Sequence, residues 1–518
     1  MSTLQEAPPE APRRLSLPVA TLIGLLALAA ALGVGHLVAG FVGYTASPFI
    51  AVANYVIDHS PTGIVKWAER TLGTWDKPIL KVGLAVVLIL FALLAGQLSR
   101  RTPRAGQVLV FLLGAAGVAA VYARSDLGQV SLLAPVAALV AGLVVFTMLH
   151  RLALPEDVVH DRGFDRRKFL RAGVGVAAGS GIAALVGEVA GTSSDAEDSR
   201  AAVGPLVPAR TEPALPADAD FAKLGSPPFI TPNGDFYRID TALVVPQIRT
   251  EDWSLKIHGM VDKEVSFSYA DLRNRPLVER RVTLTCVSNE VGGPLISNAT
   301  WLGVDLVDLL DEAGVQPGAE QMYATSVDGW TCGTPANVAL DPARGAMLAI
   351  GMNGEPLPVE HGFPARIVIP GLYGYVSATK WVESLEFAKW DDRQAYWLSR
   401  GWAEQAPIKT ESRIDTPAAS GHVPAGKVRL AGTAWAQHTG VAKVEVRLDQ
   451  GAWQPAMLSA EVSKDTWRMW WIELDVPQGT HQAFVRATDQ DGYTQTENRA
   501  DPVPDGATGW HSVTLDAR

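Results

Sequence analysis

Two textures of hydrophobic pattern divide this chain near Gly191. Before that point apolar residues run in helix-length blocks, Leu15–Val42, Ile79–Leu98, Gln107–Tyr122 and Val130–Leu149, followed by a weaker Gly- and Ala-rich run, Ala172–Ala190. Each of the first four is long enough to cross a hydrocarbon layer of about 30 Å as a helix. After Gly191 the pattern is that of a water-soluble protein. From Thr192 to about Pro232 it shows no sustained period and is rich in Ser, Asp, Ala and Pro, as in a linker. From about Phe236 to Lys409 short strand-like runs (Trp253–Ile257, Val282–Thr285) mix with helical spacing over Val304–Glu312, which predicts an α+β domain. Asn353-Gly354 between apolar runs signals a hairpin, and Ala365–Ile369 reads as a buried strand stopped by Pro370-Gly371. Beyond about Asp415 only alternating strands remain, at Lys427–Ala431, Val441–Leu448, Trp467–Leu474 and Gln482–Ala487, which predicts a small β-sandwich. Trp435, Trp453, Trp467, Trp470 and Trp471 are read as its core and interface packing.

The expected organisation is therefore multi-domain: an α-helical transmembrane bundle of about five helices over 1–191, a linker over 192–232, an α+β catalytic domain over 233–411 and a β-sandwich over 412–518. A length of 518 residues leaves room for three or four such units. Mean hydropathy of +0.12 averages over the two unlike halves. Basic residues orient the first half. Arg13 and Arg14 precede the first apolar block, Arg100, Arg101 and Arg104 lie between the second and third, and Arg151 follows the fourth, so these loops are read as cytoplasmic. Gly43–Pro78 then lies outside, with Trp67 and Trp75 suited to the interface. Asp165-Arg166-Arg167-Lys168-Phe169-Leu170 before the fifth apolar run resembles a twin-arginine export signal, though paired arginines also serve as ordinary positive-inside flanks. Both readings put everything after about Gly191 on the extracytoplasmic side of a bacterial membrane. No clean cleavage site follows, which favours a retained anchor.

Charge and cysteine content narrow the chemistry. A formal net charge of −10 argues against nucleic-acid binding, which favours a basic face. The two cysteines, Cys286 and Cys332, are too few for a disulfide framework or a four-thiolate iron–sulfur cluster, and no C-x-x-C-H haem attachment sequence exists. His36 and His150 in or near the apolar blocks fall short of the facing pairs a haem bundle needs; His36 is read as an interhelical contact and His150 as interfacial. The same scarcity of membrane-embedded ionisable groups disfavours transport.

One cysteine stands in a chemically suggestive place. Leu284-Thr285-Cys286-Val287-Ser288-Asn289-Glu290-Val291-Gly292-Gly293 puts a thiol at the end of an apolar strand, followed by a loop of small and polar residues able to surround an anionic ligand. A lone cysteine is more often a small hydrophobe. This segment, however, resembles the molybdenum-cysteine motif of the sulfite oxidase family. Four further matches follow in order: Phe236-Tyr237-Arg238-Ile239-Asp240-Thr241, Ser326-Val327-Asp328-Gly329-Trp330, His361-Gly362-Phe363-Pro364-Ala365-Arg366 leading to Pro370-Gly371, and Tyr373-Gly374 through Ser377-Ala378-Thr379-Lys380-Trp381. Ile239-Asp240 departs from the Asn-His that family members often carry.

The resemblance implies a molybdenum-molybdopterin cofactor with Cys286 as metal ligand, and an immunoglobulin-like β-sandwich that acts as a dimerisation domain, hence a homodimer. It implies cofactor contacts from Phe236, Tyr237, Arg238, Ser288, Asn289, Thr325, Asp328, His361, Arg366, Ser377, Ala378, Thr379 and Lys380. The residue types suit the task, because a phosphate-bearing pterin calls for cationic forks and donors. Taken singly, Arg366 also reads as a strand-end ion pair, His361 as a core histidine and Lys380 as a solvated tip. Tyr237, Tyr373 and Tyr375 are candidates for lining the substrate side, while Cys332 reads as a buried small residue. Sulfite-oxidising members gather arginines around their oxyanion pocket, whereas Tyr373-Gly374-Tyr375-Val376 brings none to the segment before Lys380. Oxygen-atom transfer on a small sulfur oxo compound is the implied activity, with sulfite oxidation and S-oxide reduction both open. Electrons would pass to a separate cytochrome or quinone-linked partner. The rival reading is a membrane-anchored binding or sensory protein with a degenerate cofactor domain.

Overall fold

The computed structural model describes residues 14–72, 75–124, 127–154, 166–191, 195–418 and 421–518. Arg13, Asp165 and the first residues of the expected linker, 192–194, lie outside them. The chain divides into two compact units, one built from the first 194 residues with Ala242–Val244 and the other from the remainder.

The first unit is helical. Among the described residues five of its helices are long and apolar enough to cross a membrane: Leu17–Val42, Asp76–Leu98, Arg104–Tyr122, Leu133–Ala153 and Arg166–Gly191. Leu17–Val42 is central and packs against three of the others. Close approach depends on glycine, since a Cβ on Gly24 would overlap the Ala92 carbonyl and one on Gly187 would press on that of His36. His36 makes the polar interhelical contact expected of it, 3.0 Å from Glu188, which also accepts from the Tyr44 hydroxyl at 2.7 Å. His150 is not interfacial as expected. It is buried, with Nε2 2.7 Å from the Ser99 carbonyl that ends a neighbouring helix and needs a donor. The segment between the first two apolar blocks holds helices Pro48–His59 and Thr62–Leu72 and leaves Trp67 and Trp75 exposed.

The second unit begins earlier than composition suggested. Much of the stretch expected to be a linker packs onto the α+β core: Asp195–Val203 is helical, and Ala196, Val203 and Phe229 are buried in it. Arg200 ties the helix down by donating to the Pro356 and Leu357 carbonyls, and the Phe229 carbonyl accepts from Asn298 and Trp467. Lack of periodicity signals irregular backbone, and irregular backbone can still be fully bonded to its surroundings.

Two sheets build the α+β part. In one, the cysteine strand Val278–Thr285 runs antiparallel to Ile296–Asp305, which pairs with Met347–Met352; that strand in turn pairs with Glu355–Pro356 and with Arg366–Val368. In the other the order is Val265–Ser268, Ser254–Gly259, Val382–Ala388, Gln321–Ser326 and Thr331–Pro335, with one parallel pair between Ser254–Gly259 and Val382–Ala388. Asn353-Gly354 makes the expected tight hairpin, both residues at positive φ. The helix predicted from Val304 starts at Leu306, because Val304 continues the preceding strand.

The carboxy-terminal part is all β. Sheets ordered Glu411–Thr416, Gly426–Trp435, Arg468–Val476, Met457–Leu458 and Gly421–Val423, His511–Ala517, Gly479–Asp489, Val441–Leu448, Gln454–Pro455 share one apolar core, to which Leu430, Trp470, Val485 and Leu515 contribute. Trp435 and Trp467 belong instead to the α+β core, so the two parts of this unit are joined through buried aromatic side chains.

Candidate molybdopterin site

Cys286 follows directly on the last residue of its strand. Its N–H donates to the Leu295 carbonyl at 3.0 Å and its own carbonyl accepts from Asn289 N–H at 3.0 Å, which closes the loop 286–295 at the neck. Asn289 Oδ1 braces the same loop by accepting from Leu295 N–H at 2.8 Å. A side chain on Gly293 would collide with that oxygen, so the small residues of the motif are a packing requirement. Cys286 is partly exposed, unlike Cys332, which is 1 % exposed and whose thiol is pushed up to about 12 by burial. Cys332 therefore stays a protonated, buried small residue, whereas Cys286 is the less covered of the two.

Around the thiol stand Tyr237, Tyr373 and Gly374. Tyr237 is anchored by its N–H on Ser297 Oγ at 3.2 Å, and its phenol feels both Cys286 and Arg366. A Cβ at Gly374 would rest 3.7 Å from both the Tyr237 hydroxyl and the Thr285 carbonyl, which places the Tyr373-Gly374 turn against the cysteine strand. Burial raises the titration of Tyr237, Tyr373 and Tyr375, so all three are neutral phenols. Tyr375 is turned away, its hydroxyl donating to the Ala403 carbonyl at 2.7 Å. The Tyr373 hydroxyl faces Lys409 N–H and Gly506, although its ring stays within electrostatic reach of Cys286. Of the three tyrosines expected to line the substrate side, Tyr237 has the most direct relation to the thiol.

Beside this pocket lies a cationic cradle. Arg366 is 5 % exposed, lies over the Trp301 ring at 4.9 Å, and donates to the His361 carbonyl at 3.0 Å and that of Ala378 at 3.4 Å. No carboxylate lies within ion-pair distance of it among the described residues, which removes the strand-end ion-pair reading. Burial lowers it to about 10, so it keeps its charge at neutral pH. Lys380, lowered by burial to about 8, holds Asp240 Oδ2 at 3.0 Å, and Arg238 Nε holds the same oxygen at 2.9 Å. It is no solvated tip, its side chain being 12 % exposed. Asp328, raised by burial, lies within reach of Lys380 and Asp240, and its Oδ1 accepts from Trp330 N–H. Phe236 packs edge-on against both His361 and Trp301. His361 donates from Nε2 to the Asn233 carbonyl at 2.9 Å; burial lowers it to about 4, so it is neutral and keeps Nδ1 as an acceptor.

The remaining expected contacts are less direct. Ser377 spends its hydroxyl on the Leu372 and Tyr373 carbonyls. Ala378 ends that turn, and the backbone of buried Thr379 pairs with Ile367. Ser288 lies in the cysteine loop, and Thr325 near the end of the strand that leads to Asp328. Residues that sequence reasoning missed include Trp301 and Ser297. Both sit on the strand paired with the cysteine strand, so the strand pairing, once known, would have pointed to them.

Several buried polar atoms of this region, among them Thr285 Oγ1, Asn289 Nδ2, Arg366 Nε and Thr379 Oγ1, have no hydrogen-bond partner among the described residues. Each such atom costs about 1–3 kcal/mol when left unmet. A cradle with unmet buried donors and an uncompensated guanidinium, next to a presented thiol, fits a polar anionic group carrying a thiophilic metal. These residues suit the protein part of a pterin-borne metal site.

Comparison with known proteins agrees. Residues 242–397 match the family model described as oxidoreductase molybdopterin binding domain. Mitochondrial sulfite oxidase of Macaca fascicularis is 31% identical over 337 residues, 55% of this chain and 61% of that protein. Sulfite oxidase of Gallus gallus is 27% identical and covered to 83%. An uncharacterized oxidoreductase of Bacillus subtilis, YuiH, is 35% identical over 150 residues, 72% of its length. The sulfane dehydrogenase SoxCD of Paracoccus pantotrophus shares the fold, with a TM-score of 0.50 at 24% identity over 56% of this chain and 82% of that one. The chain belongs to the sulfite oxidase-like family of molybdopterin-dependent oxidoreductases. It spans about three fifths of the length of the mammalian sulfite oxidases it matches.

The charges of the cradle are open to test. Replacing Arg366 with Met lowers molybdenum per chain by about 10-fold or more. The unfolding midpoint of the cofactor-free protein falls little, because removing an uncompensated buried cation offsets the two hydrogen bonds to carbonyls that Met cannot donate. Elemental analysis and calorimetry measure both; full metal content in that variant would refute the assignment. For His361, a folded value of about 4 against an ordinary 6.5 means that the unfolded chain binds the proton more readily. Its contribution, on the order of 1–3 kcal/mol, is present above about pH 6.5 and is lost as pH falls toward 4. His361→Gln should flatten, in part, the loss of thermal stability over that window, and an unchanged slope would contradict it.

Proposed function

We propose that the chain is a membrane-anchored, extracytoplasmic oxidoreductase that transfers an oxygen atom to or from a small sulfur oxo compound. The single observation that carries this reading is Cys286, a partly exposed cysteine at a strand end beside a buried cationic cradle with unmet donors. Molybdenum-molybdopterin, when bound, supplies the two-electron oxygen-transfer chemistry. Cys286 would hold the metal through its sulfur. Arg366, Arg238 and Lys380 would hold the phosphate-bearing end, with Asp240 keeping the last two oriented. His361 stays neutral and donates to backbone, so it fixes the Asn233 turn and offers Nδ1 to a donor. The neutral phenol of Tyr237, beside the thiol, is suited to donate a hydrogen bond to a substrate oxygen, and the ring of Tyr373 limits access of bulk water on the same side.

The names of the mammalian and avian relatives support sulfite as one substrate. The segment Tyr373–Val376 supports a second, an uncharged S-oxide, because it brings no cation to the pocket where an oxyanion would need one. Sulfite oxidation consumes one water and delivers two electrons and two protons; S-oxide reduction consumes two electrons and two protons and releases water. Either direction requires an external redox partner, for which we propose a cytochrome or quinone-linked protein. The five apolar helices support a membrane anchor, the arginines of their loops support an extracytoplasmic catalytic unit, and the two-sheet carboxy-terminal part supports an immunoglobulin-like dimerisation domain.

Steady-state assays of the purified full-length chain, with ferricyanide and sulfite or with reduced viologen and several S-oxides, test the reading. Turnover is expected in one arm, and Cys286→Ser should abolish it together with the bound metal. Substantial turnover in that variant would rule out the proposed ligand. The mass of the detergent-solubilised chain should equal two copies, and a monomeric mass removes the dimer.

A further inference from the structure

The loop that carries Cys286 is not held by its own domain alone. Its neck is closed locally, but its tip is gripped from the carboxy-terminal β part. Arg413, 8 % exposed on the strand Glu411–Thr416, donates from a terminal nitrogen to the Gly293 carbonyl at 2.7 Å and from Nε to Asp415 Oδ1 at 2.6 Å. Asp415 is fixed in turn by the Thr433 hydroxyl at 3.1 Å. His511, whose Nδ1 accepts from Ile414 N–H at 3.0 Å, packs its ring against Gly292 so closely that a Cβ there would overlap it. Gly292 also has a φ of +80°, which L side chains rarely adopt. The strand before the cysteine is gripped as well: Thr283 N–H donates to the Asp465 carbonyl, its carbonyl accepts from Gln437, and its hydroxyl accepts from Trp467 N–H.

The two grips bracket Cys286, one three residues before it and one at the loop tip. A guanidinium that serves a carbonyl and a carboxylate together fixes both distance and direction. We propose that Arg413, backed by Asp415 and His511, is a positioning residue for the metal: through it the carboxy-terminal β part sets the path of the cysteine loop, and so the placement of the Cys286 sulfur. This deepens the cofactor reading and rests on it.

The test uses the full-length chain, purified by gel filtration so that only folded material is read. Arg413→Met cannot donate to Gly293. Arg413→Lys keeps a cation near Asp415 but cannot serve both partners as a fork, and it stands in for the first variant if that one fails to fold. Leu430→Ala, which removes volume from the apolar core of the carboxy-terminal β part without touching the cysteine loop or its strand, is the stability control. The readouts are molybdenum per chain, the unfolding midpoint and the paramagnetic resonance line shape of the half-reduced metal. Expected are a loss of metal of about 10-fold in Arg413→Met, a smaller loss in Arg413→Lys, and an altered line shape in whatever metal remains. Leu430→Ala should keep both metal and line shape despite a midpoint shift at least as large. The inference is overturned if the arginine variants load metal as the parent does with an unchanged line shape, or if Leu430→Ala loses as much. If the parent chain itself carries no molybdenum, the cofactor reading fails first, so the two failures are distinguishable.

Discussion

Burial of a guanidinium away from any carboxylate is costly, and the catalytic part of this protein is arranged around that cost. Arg366 is satisfied by two carbonyls and the face of Trp301, and its Nε is left unmet. Among the described residues the carboxylates of the cradle are engaged with other groups: Asp240 is shared between Arg238 and Lys380, and burial favours the protonated form of Asp328. A positive charge held in a dry place is a standing demand for an anion. The phosphate of the pterin would meet it, and cofactor binding would then contribute to the stability of the surrounding fold.

The thiol obeys a second, softer constraint. Cys286 has to be fixed in space yet remain presented. A strand end provides the rigidity, the closed loop neck the direction, and two glycines the room. The contrast with Cys332 is physical: that sulfur sits within a strand, fully covered, where burial keeps the proton on and the nucleophile absent. Contacts from the β part to Thr283 and Gly293 on either side of Cys286 make the second domain a structural participant in the proposed metal site.

Much of the candidate site was legible along the chain because its motifs are local. The loop from Thr285 to Gly293, the His361-to-Arg366 run and the Lys380-Trp381 pair each carry their chemistry within a few residues, and an ordered set of such runs is hard to mistake. Illegible were the contacts that depend on strand pairing and domain packing. Trp301 is an ordinary strand tryptophan until Arg366 is laid on it, and Arg413 is one arginine among many until the β part docks on the cysteine loop. Tyr375 went the other way: chain position put it near the substrate, while its hydroxyl is turned to the Ala403 carbonyl. The stretch before Pro232 looked like a linker because its backbone has no period, although its buried residues and carbonyls are matched to the core.

The sequence by itself determined the division into an apolar helical half and a water-soluble half, the strand and turn grammar of the latter, and which sulfur is the candidate for the metal. Those features follow from hydrophobic period and from residue types at short spacing, and both are properties of neighbours along the chain. Only the tertiary structure decided which cation would be left without a counter-charge, which tyrosine would stand beside the thiol, and which domain would grip the loop. Charge compensation and burial are sums over residues far apart in sequence, and they acquire values only when the fold brings those residues together.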